Sequence, residues 1–230
     1  MSDLLLPWQD DSTELQTELQ YKHERILAWL SERQADALVI GRHENIAWAT
    51  AGRVDCRIGM LRETGPATLL FTRAGARYYI TSNNELDRLE SEEFDGLGFR
   101  PVVQPWHKNA LAESLPSLAG PRIAADIPLG TTVAIPLLEL RGSLTRSEIR
   151  RYRWLARAAS AAIEQIAFAV QPGDSERHMQ CMLAASLLRQ RIQPSVYLTA
   201  VDDRIRRYPH PVPRDAVLVR LAMLGLCARR

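Results

Sequence analysis

Ala35-Asp-Ala-Leu-Val-Ile-Gly-Arg-His-Glu-Asn-Ile-Ala-Trp-Ala-Thr-Ala-Gly52 sets the frame for the first half of the chain. Ala37-Leu-Val-Ile40 is a short continuous apolar run ending at Gly41, which reads as a buried strand. Residues 43–51 then read as a helix, with Gly52 as its C-terminal stop. Upstream, Leu15, Leu19, Ile26, Leu27 and Leu30 fall largely on one stripe, so residues 12–33 read as an amphipathic helix that Ser12 can cap. Downstream, Thr68-Leu-Leu-Phe71 and Arg77-Tyr-Tyr-Ile80 flank the Gly-containing turn Thr72-Arg-Ala-Gly75, a hairpin pattern. A helix over 83–91, with Asn83 or Asn84 as cap, comes next. Strands at 99–103 and 122–127, separated by a helix near 108–115, complete the run. Alternating helices and strands predict an α/β domain.

The character changes after Pro136. Leu144-Thr-Arg-Ser-Glu148 carries a capping-box pattern, in which Thr145 caps and Glu148 reaches back to its N–H. A long helix should follow through Ala156, Ala159, Ile163, Ile166 and Ala167 to Val170, broken by Pro172-Gly-Asp174. Asp174 or Ser175 caps a second helix ending near Arg191, and strands follow at 195–201 and 217–226. The domain boundary is expected near Arg141-Gly142-Ser143, giving domains 1–142 and 143–230.

Composition narrows the function classes. The 230 residues are 46% hydrophobic and 24% charged, an ordinary globular balance. Lys plus Arg number 29 against 27 Asp plus Glu, so nucleic acid is not an expected partner. Five arginines within 146–157 share a helix with Trp154, Leu155 and several alanines, and read as a solvated face. No apolar run reaches the ~18–20 residues of a bilayer span, so no membrane association is expected. Leu4-Leu5-Leu6 has no basic segment before it, so the N-terminus does not read as a secretory signal. Cys56, Cys181 and Cys227 are odd in number and far apart, which predicts free thiols in a reducing cytoplasm.

Few residues point to chemistry. His23, His43 and His107 lack a second ligand at helical spacing and read as surface or satisfied core histidines. His178 and Cys181 share a helix face, yet zinc normally takes at least three protein ligands. His210 stands apart in Tyr208-Pro-His-Pro-Val-Pro213, where prolines stiffen a loop that could hold a side chain out for a ligand or serve as a plain connector. Asp202-Asp203 precedes Arg204, Arg206 and Arg207, which predicts mutual solvated pairing. Arg53, Asp55 and Cys56 follow the Gly52 stop, where Arg53 and Asp55 are candidate contact residues. There is no glycine-rich phosphate loop and no Gly-x-Ser-x-Gly elbow.

These segments resemble the creatinase, prolidase and aminopeptidase P group of M24-type metallopeptidase-like proteins. The resemblance rests on Lys22-His-Glu-Arg-Ile-Leu-Ala-Trp-Leu30, Ala35 to Ile40, Asn45-Ile-Ala-Trp-Ala-Thr-Ala-Gly52 and the hairpin. It is more specific at Leu144-Thr-Arg-Ser-Glu-Ile149 and Gln171-Pro-Gly-Asp-Ser-Glu176. It implies a three-layer α/β domain with a mixed sheet, followed by an incomplete α+β pita-bread domain. His210, Pro213 and Asp215 stand in the order of the family's His and Pro-x-Asp step, so the resemblance makes His210 a substrate-pocket residue. Catalytic relatives hold a metal pair through two Asp, one His and two Glu. The strand expected to supply the first Asp reads Val219-Arg-Leu-Ala-Met-Leu-Gly-Leu-Cys-Ala228 and has no carboxylate.

The expected metal-ligand set is therefore none, no catalytic residue is assigned, and the family metals Mn, Co or Zn are not expected as cofactors. His210, Arg53 and Asp55 remain the substrate-binding candidates. The leading expectation is a non-catalytic binding or scaffold protein, and a homodimer, with a second chain covering the open sheet edge. One alternative is a hydrolase of the Xaa-Pro peptidase or creatinase type, acting on a C–N bond with ligands from a partner chain or by a metal-free route through His210. Another is the product of a truncated peptidase gene.

Overall fold

The computed structural model describes residues 11–59 and 62–230. They divide into two units, 11–145 and Arg146–Arg230. Leu4–Leu6, which do not read as a secretory signal, lie outside the described residues.

The first unit contains α1 (Ser12–Glu32), β1 (Ala37–Arg42), α2 (His43–Ala49), β2 (Thr64–Thr72), β3 (Arg77–Ser82) and α3 (Leu86–Arg88), which runs into a π-helical turn at Leu89–Glu93. It continues through β4 (Arg100–Gln104), α4 (Ala110–Leu118), β5 (Ile123–Ala125) and α5 (Leu138–Arg141). The sheet order is β4-β3-β2-β1-β5. β2 runs antiparallel to β1 and β3, whereas β1–β5 and β3–β4 are parallel, so the sheet is mixed. Alternate side chains of each strand point to opposite faces. Leu38, Ile40, Leu69, Phe71 and Tyr79 pack with Leu19, Ile26, Trp29 and Leu30 of α1 and Ile46 and Trp48 of α2. Val39, Leu70, Ile80 and Ala125 pack on the other side with Leu115 of α4. This is the three-layer α/β architecture. The continuous apolar run of β1 follows from its place between two strands and two helical layers.

The second unit contains α6 (Arg146–Ala169), α7 (Glu176–Leu188), β6 (Gln193–Val201), α8 (Asp203–Arg207) and β7 (Ala222–Arg229). β6 and β7 form an antiparallel pair with Val196 opposite Cys227 and Thr199 opposite Leu224. Ala158, Ala162 and Ile166 of α6 meet Leu183 and Leu187 of α7 over Tyr197, Leu224 and Leu226. The helices part at Gly173, whose φ of +103° is open to glycine and strained for other residues.

Four expectations need correction. Asp11, not Ser12, caps α1: its carboxylate accepts from the N–H groups of Thr13 and Glu14 at 2.8 and 3.1 Å. Asp11 is the last extended residue before the helix, where a carboxylate also suits the helix dipole. The helix expected over 83–91 is one α turn plus the π-helical turn, and neither asparagine caps it. Asn83 Oδ1 instead accepts from Trp106 N at 2.8 Å, and Asn84 Oδ1 from Ser82 Oγ at 2.7 Å. The strand expected from Val217 starts only at Ala222. Leu218 exchanges backbone bonds with Gly173 and Asp174, and the N–H groups of Val219, Arg220 and Leu221 all donate to Asp202. That last fact also overturns the Asp202–arginine pairing. Three backbone donors hold the Asp202 carboxylate and keep it below the ordinary carboxylate range. Arg204 turns elsewhere, to Glu176.

Candidate functional site

The loop that carries His210 is positioned by a buried carboxylate. Ser175 caps α7 through its side chain, which accepts from His178 N at 3.1 Å, and so places Glu176 at the first helical position. Glu176 is fully buried, a state that is costly for a carboxylate unless its lone pairs are met. Three donors meet them: Val201 N at 3.0 Å, Arg204 Nε at 2.7 Å and Arg214 N at 2.7 Å. Arg204 also donates to Val212 O at 3.0 Å, and its guanidinium lies 5.2 Å from the Tyr208 ring centre. The Pro-His-Pro segment is thus held at both ends, with Pro211 and Pro213 buried and His210 exposed. A held loop with an exposed imidazole suits ligand contact. A general base also needs an orienting partner.

In the same unit, Ala167, Val170, Pro172, Leu218, Arg220, Ala222 and Leu224 line a cleft of about 310 Å³. Asp215, the last member of the family-like order, is exposed and paired with Arg177 at 2.8 Å. That guanidinium holds its carboxyl below the usual range.

Arg53 and Asp55 belong to the first unit and lie on the turn after α2. Arg53 is exposed and its N–H donates to Thr50 O. Asp55 accepts two bonds of 2.6 Å from Arg57, while its own N–H donates to Glu93 at 2.7 Å. Burial raises the Asp55 pKa, but the Arg57 bonds outweigh it and the net direction is down. The structure thus places Arg53 and Asp55 on one turn, and His210 on a loop of the other unit. Cys56, beside them in sequence, is wholly buried with its Sγ 3.7 Å from His43 Nδ1. Burial pushes its thiol up to about 11, so it is not a thiolate nucleophile at neutral pH.

Of the other histidines, His23 is buried, whereas His107 and His178 are exposed. His23 is buried, with Nε2 3.2 Å from Ala49 O and Nδ1 2.6 Å from Arg77. The arginine donates, so Nδ1 is the acceptor and Nε2 carries the proton. His107 makes an edge contact with Trp106. His178 approaches Asp174 at 3.9 Å, and Cys181 is exposed.

Four carboxylates of the second unit are already engaged. Glu176 and Asp202 each accept three bonds, Asp215 pairs with Arg177, and Asp174 accepts from Gln171 N at 2.8 Å. Among the described residues no three His, Cys, Asp or Glu side chains gather as they would around a metal ion. Sequence reading missed the anchoring role of Glu176 and the cleft. Glu176 belonged to a recognised helix break, but nothing in its spacing showed that it would meet residues 201, 204 and 214.

No protein-family model matches the chain, and no curated protein matches its sequence. Solved structures do match its fold. The chain is similar to the Xaa-Pro dipeptidase from Bacillus anthracis, with TM-score 0.63 and 16% identity, covering 91% of this chain and 60% of that one. It is similar to a prolidase from Thermococcus sibiricus, with TM-score 0.67 and 13% identity, covering 94% and 61%. The X-Pro aminopeptidase from Thermotoga maritima MSB8 gives TM-score 0.61 and 17% identity, covering 88% and 59%. The chain therefore has the fold of these peptidases, as the sequence resemblance implied, and spans about three fifths of their length.

Proposed function

We propose, from that shared fold, that residues 1–230 serve as a non-catalytic binding or scaffold portion of an Xaa-Pro peptidase-like protein. One observation carries the reading: Asp174, Glu176 and Asp202 of the second unit are engaged by backbone N–H groups, and among the described residues no acidic side chains are grouped for a metal. Glu176 and Asp202 brace the segment around His210 and the start of β7, so their chemistry is structural. His210, exposed on its braced loop, is the residue to contact a peptide in this reading. The three free cysteines fit a reducing cytoplasm, and among the described residues no helix is long and apolar enough to cross a membrane.

The fold likeness to an Xaa-Pro dipeptidase favours a second reading, a hydrolase whose ligands come from another chain. The two separate by metal analysis of the purified chain combined with an X-Pro dipeptide assay. The scaffold reading expects no stoichiometric Mn, Co or Zn and no turnover. Metal at one or two ions per chain together with hydrolysis overturns it. Replacing His210 by Ala should lower affinity for an X-Pro dipeptide while leaving the melting temperature unchanged.

A further inference from the structure

The balance of 29 Lys plus Arg against 27 Asp plus Glu is an average over two unlike parts of the chain. Residues 1–145 hold 14 cations and 20 acids, a formal charge of −6. Residues 146–230 hold 15 arginines and seven acids, a formal charge of +8. Little of that excess is neutralised within the second unit. Glu148 and Glu176 are buried, Asp174 and Asp202 accept from backbone N–H groups, and Asp215 is paired with Arg177. Glu164 and Asp203 remain as exposed acids. A charge asymmetry of this size draws polyanions to the cationic part, even where the whole chain is near neutral.

The N-terminal half of α6 concentrates that charge. Arg146, Arg150, Arg153 and Arg157 are exposed, and their spacing of four, three and four residues puts them in one row about 16 Å long. Arg150 donates to Ser147 Oγ at 3.1 Å. Arg146, Arg153 and Arg157 have no carboxylate partner among the described residues. Neighbours in the row repel one another, and the first two sit at the positive end of the helix dipole. Both effects cost the fold and favour an anion. Four cations over this length match the scale of successive phosphates, which are about 3.4 Å apart along a duplex axis and further apart in an extended strand.

Two features narrow the class of polyanion. Tyr152, 61% exposed, flanks the row and offers a ring on which a base can stack. The apolar stripe of α6 is already covered, because Ala158, Ala162 and Ile166 pack with Leu183 and Leu187 of α7. A helix that lies on a membrane needs such a stripe free to enter the lipid.

We propose that this face of α6 binds single-stranded nucleic acid without regard to sequence, with phosphates on Arg146, Arg150, Arg153 and Arg157 and a base stacked on Tyr152. The inference uses the second unit alone and does not rest on the proposed function.

The test titrates the full 230-residue chain against a labelled mixed-sequence strand of about 20 nucleotides, followed by fluorescence anisotropy. A dissociation constant of about 1–100 μM is expected at about 50 mM salt. The logarithm of the affinity should fall against that of salt with a slope of about −3, since each of four phosphates adds about −0.7. Arg146→Glu with Arg153→Glu and Arg157→Glu should weaken binding by at least about tenfold. Lysine at the same three positions keeps the charge and should hold the affinity within about threefold. Tyr152→Ala should weaken binding by at least about fivefold, whereas Tyr152→Phe keeps the ring and the affinity. The lysine and phenylalanine forms and the salt slope stand even if the reversed form folds poorly. No binding at about 50 mM salt overturns the proposal, as does an affinity that neither salt nor the reversal changes. So do phosphatidylserine vesicles held through the row while the strand is not. A duplex of the same length bound as tightly, with Tyr152→Ala without effect, overturns the single-strand reading.

Discussion

β1 and β7 read almost alike in sequence, Ala37-Leu-Val-Ile-Gly41 and Ala222-Met-Leu-Gly-Leu-Cys227, yet the two strands live in different surroundings. Residues 37–41 are wholly buried, between two strands in the plane and helices on both faces. β7 is intermediate along most of its length, with Cys227 exposed. Its pairing with β6 puts Val196, Leu198, Met223 and Cys227 on the face away from α6 and α7, and Val196 is 39% exposed. A continuous apolar strand signals a demand for cover on both faces. It does not say what provides the cover. In the first unit α1, α2 and α4 provide it. In the second, two helices cover one face, and polar anchors do much of the positioning.

If that contrast is right, the largest single-residue effect should come from an anchor in the second unit. Glu176→Ala leaves two backbone N–H groups and Arg204 without their acceptor, and should cost about 3–5 kcal/mol in urea unfolding. A loss under about 1 kcal/mol would show that apolar packing, not this carboxylate, holds the unit. Next come the two apolar strands. Leu38→Ala in β1 should cost about 2–5 kcal/mol because a cavity opens in a closed core. Leu198→Ala, on the less covered face of β6, should cost under about 1.5 kcal/mol. Equal losses at the two sites would erase the contrast.

Acid should weaken the first unit through His23. Burial first, and Arg77 beside it, lower its pKa from 6.5 to about 4 in the folded chain. The unfolded chain therefore takes the proton first as pH falls, so stability rises with pH between about 4 and 6.5 and is flat with respect to this group below that window. The span corresponds to roughly 3 kcal/mol, and His23→Gln should remove that share of the pH slope. The smallest effects belong to the exposed positions. His210→Ala and Leu221→Ser should each stay within about 0.5 kcal/mol of the parent chain.

Much of the architecture was legible because periodicity is local. The apolar stripe of α1, the buried run of β1, the hairpin around Gly75 and the break at Gly173 all depend on near neighbours. Their elements lie within a few residues of where the pattern put them. The Asp11 cap of α1 is a local miss, but the other errors share another cause. The Asn83 side chain went to Trp106, the N–H groups of Val219 to Leu221 went to Asp202, and Arg204 went to Glu176. Each is a bond between residues 17 to 28 apart, and local periodicity does not display it.

The sequence by itself therefore determined the α/β order of the first unit, the helical pair and strands of the second, and the absence of a carboxylate from the run Val219–Ala228. Tertiary structure alone decided which carboxylates were available for chemistry. In the sequence Glu176 is part of a helix break and Asp202 reads as a solvated partner of the arginines that follow it. Folding brings three donors to each, because a desolvated carboxylate and desolvated backbone N–H groups are stable only when they meet.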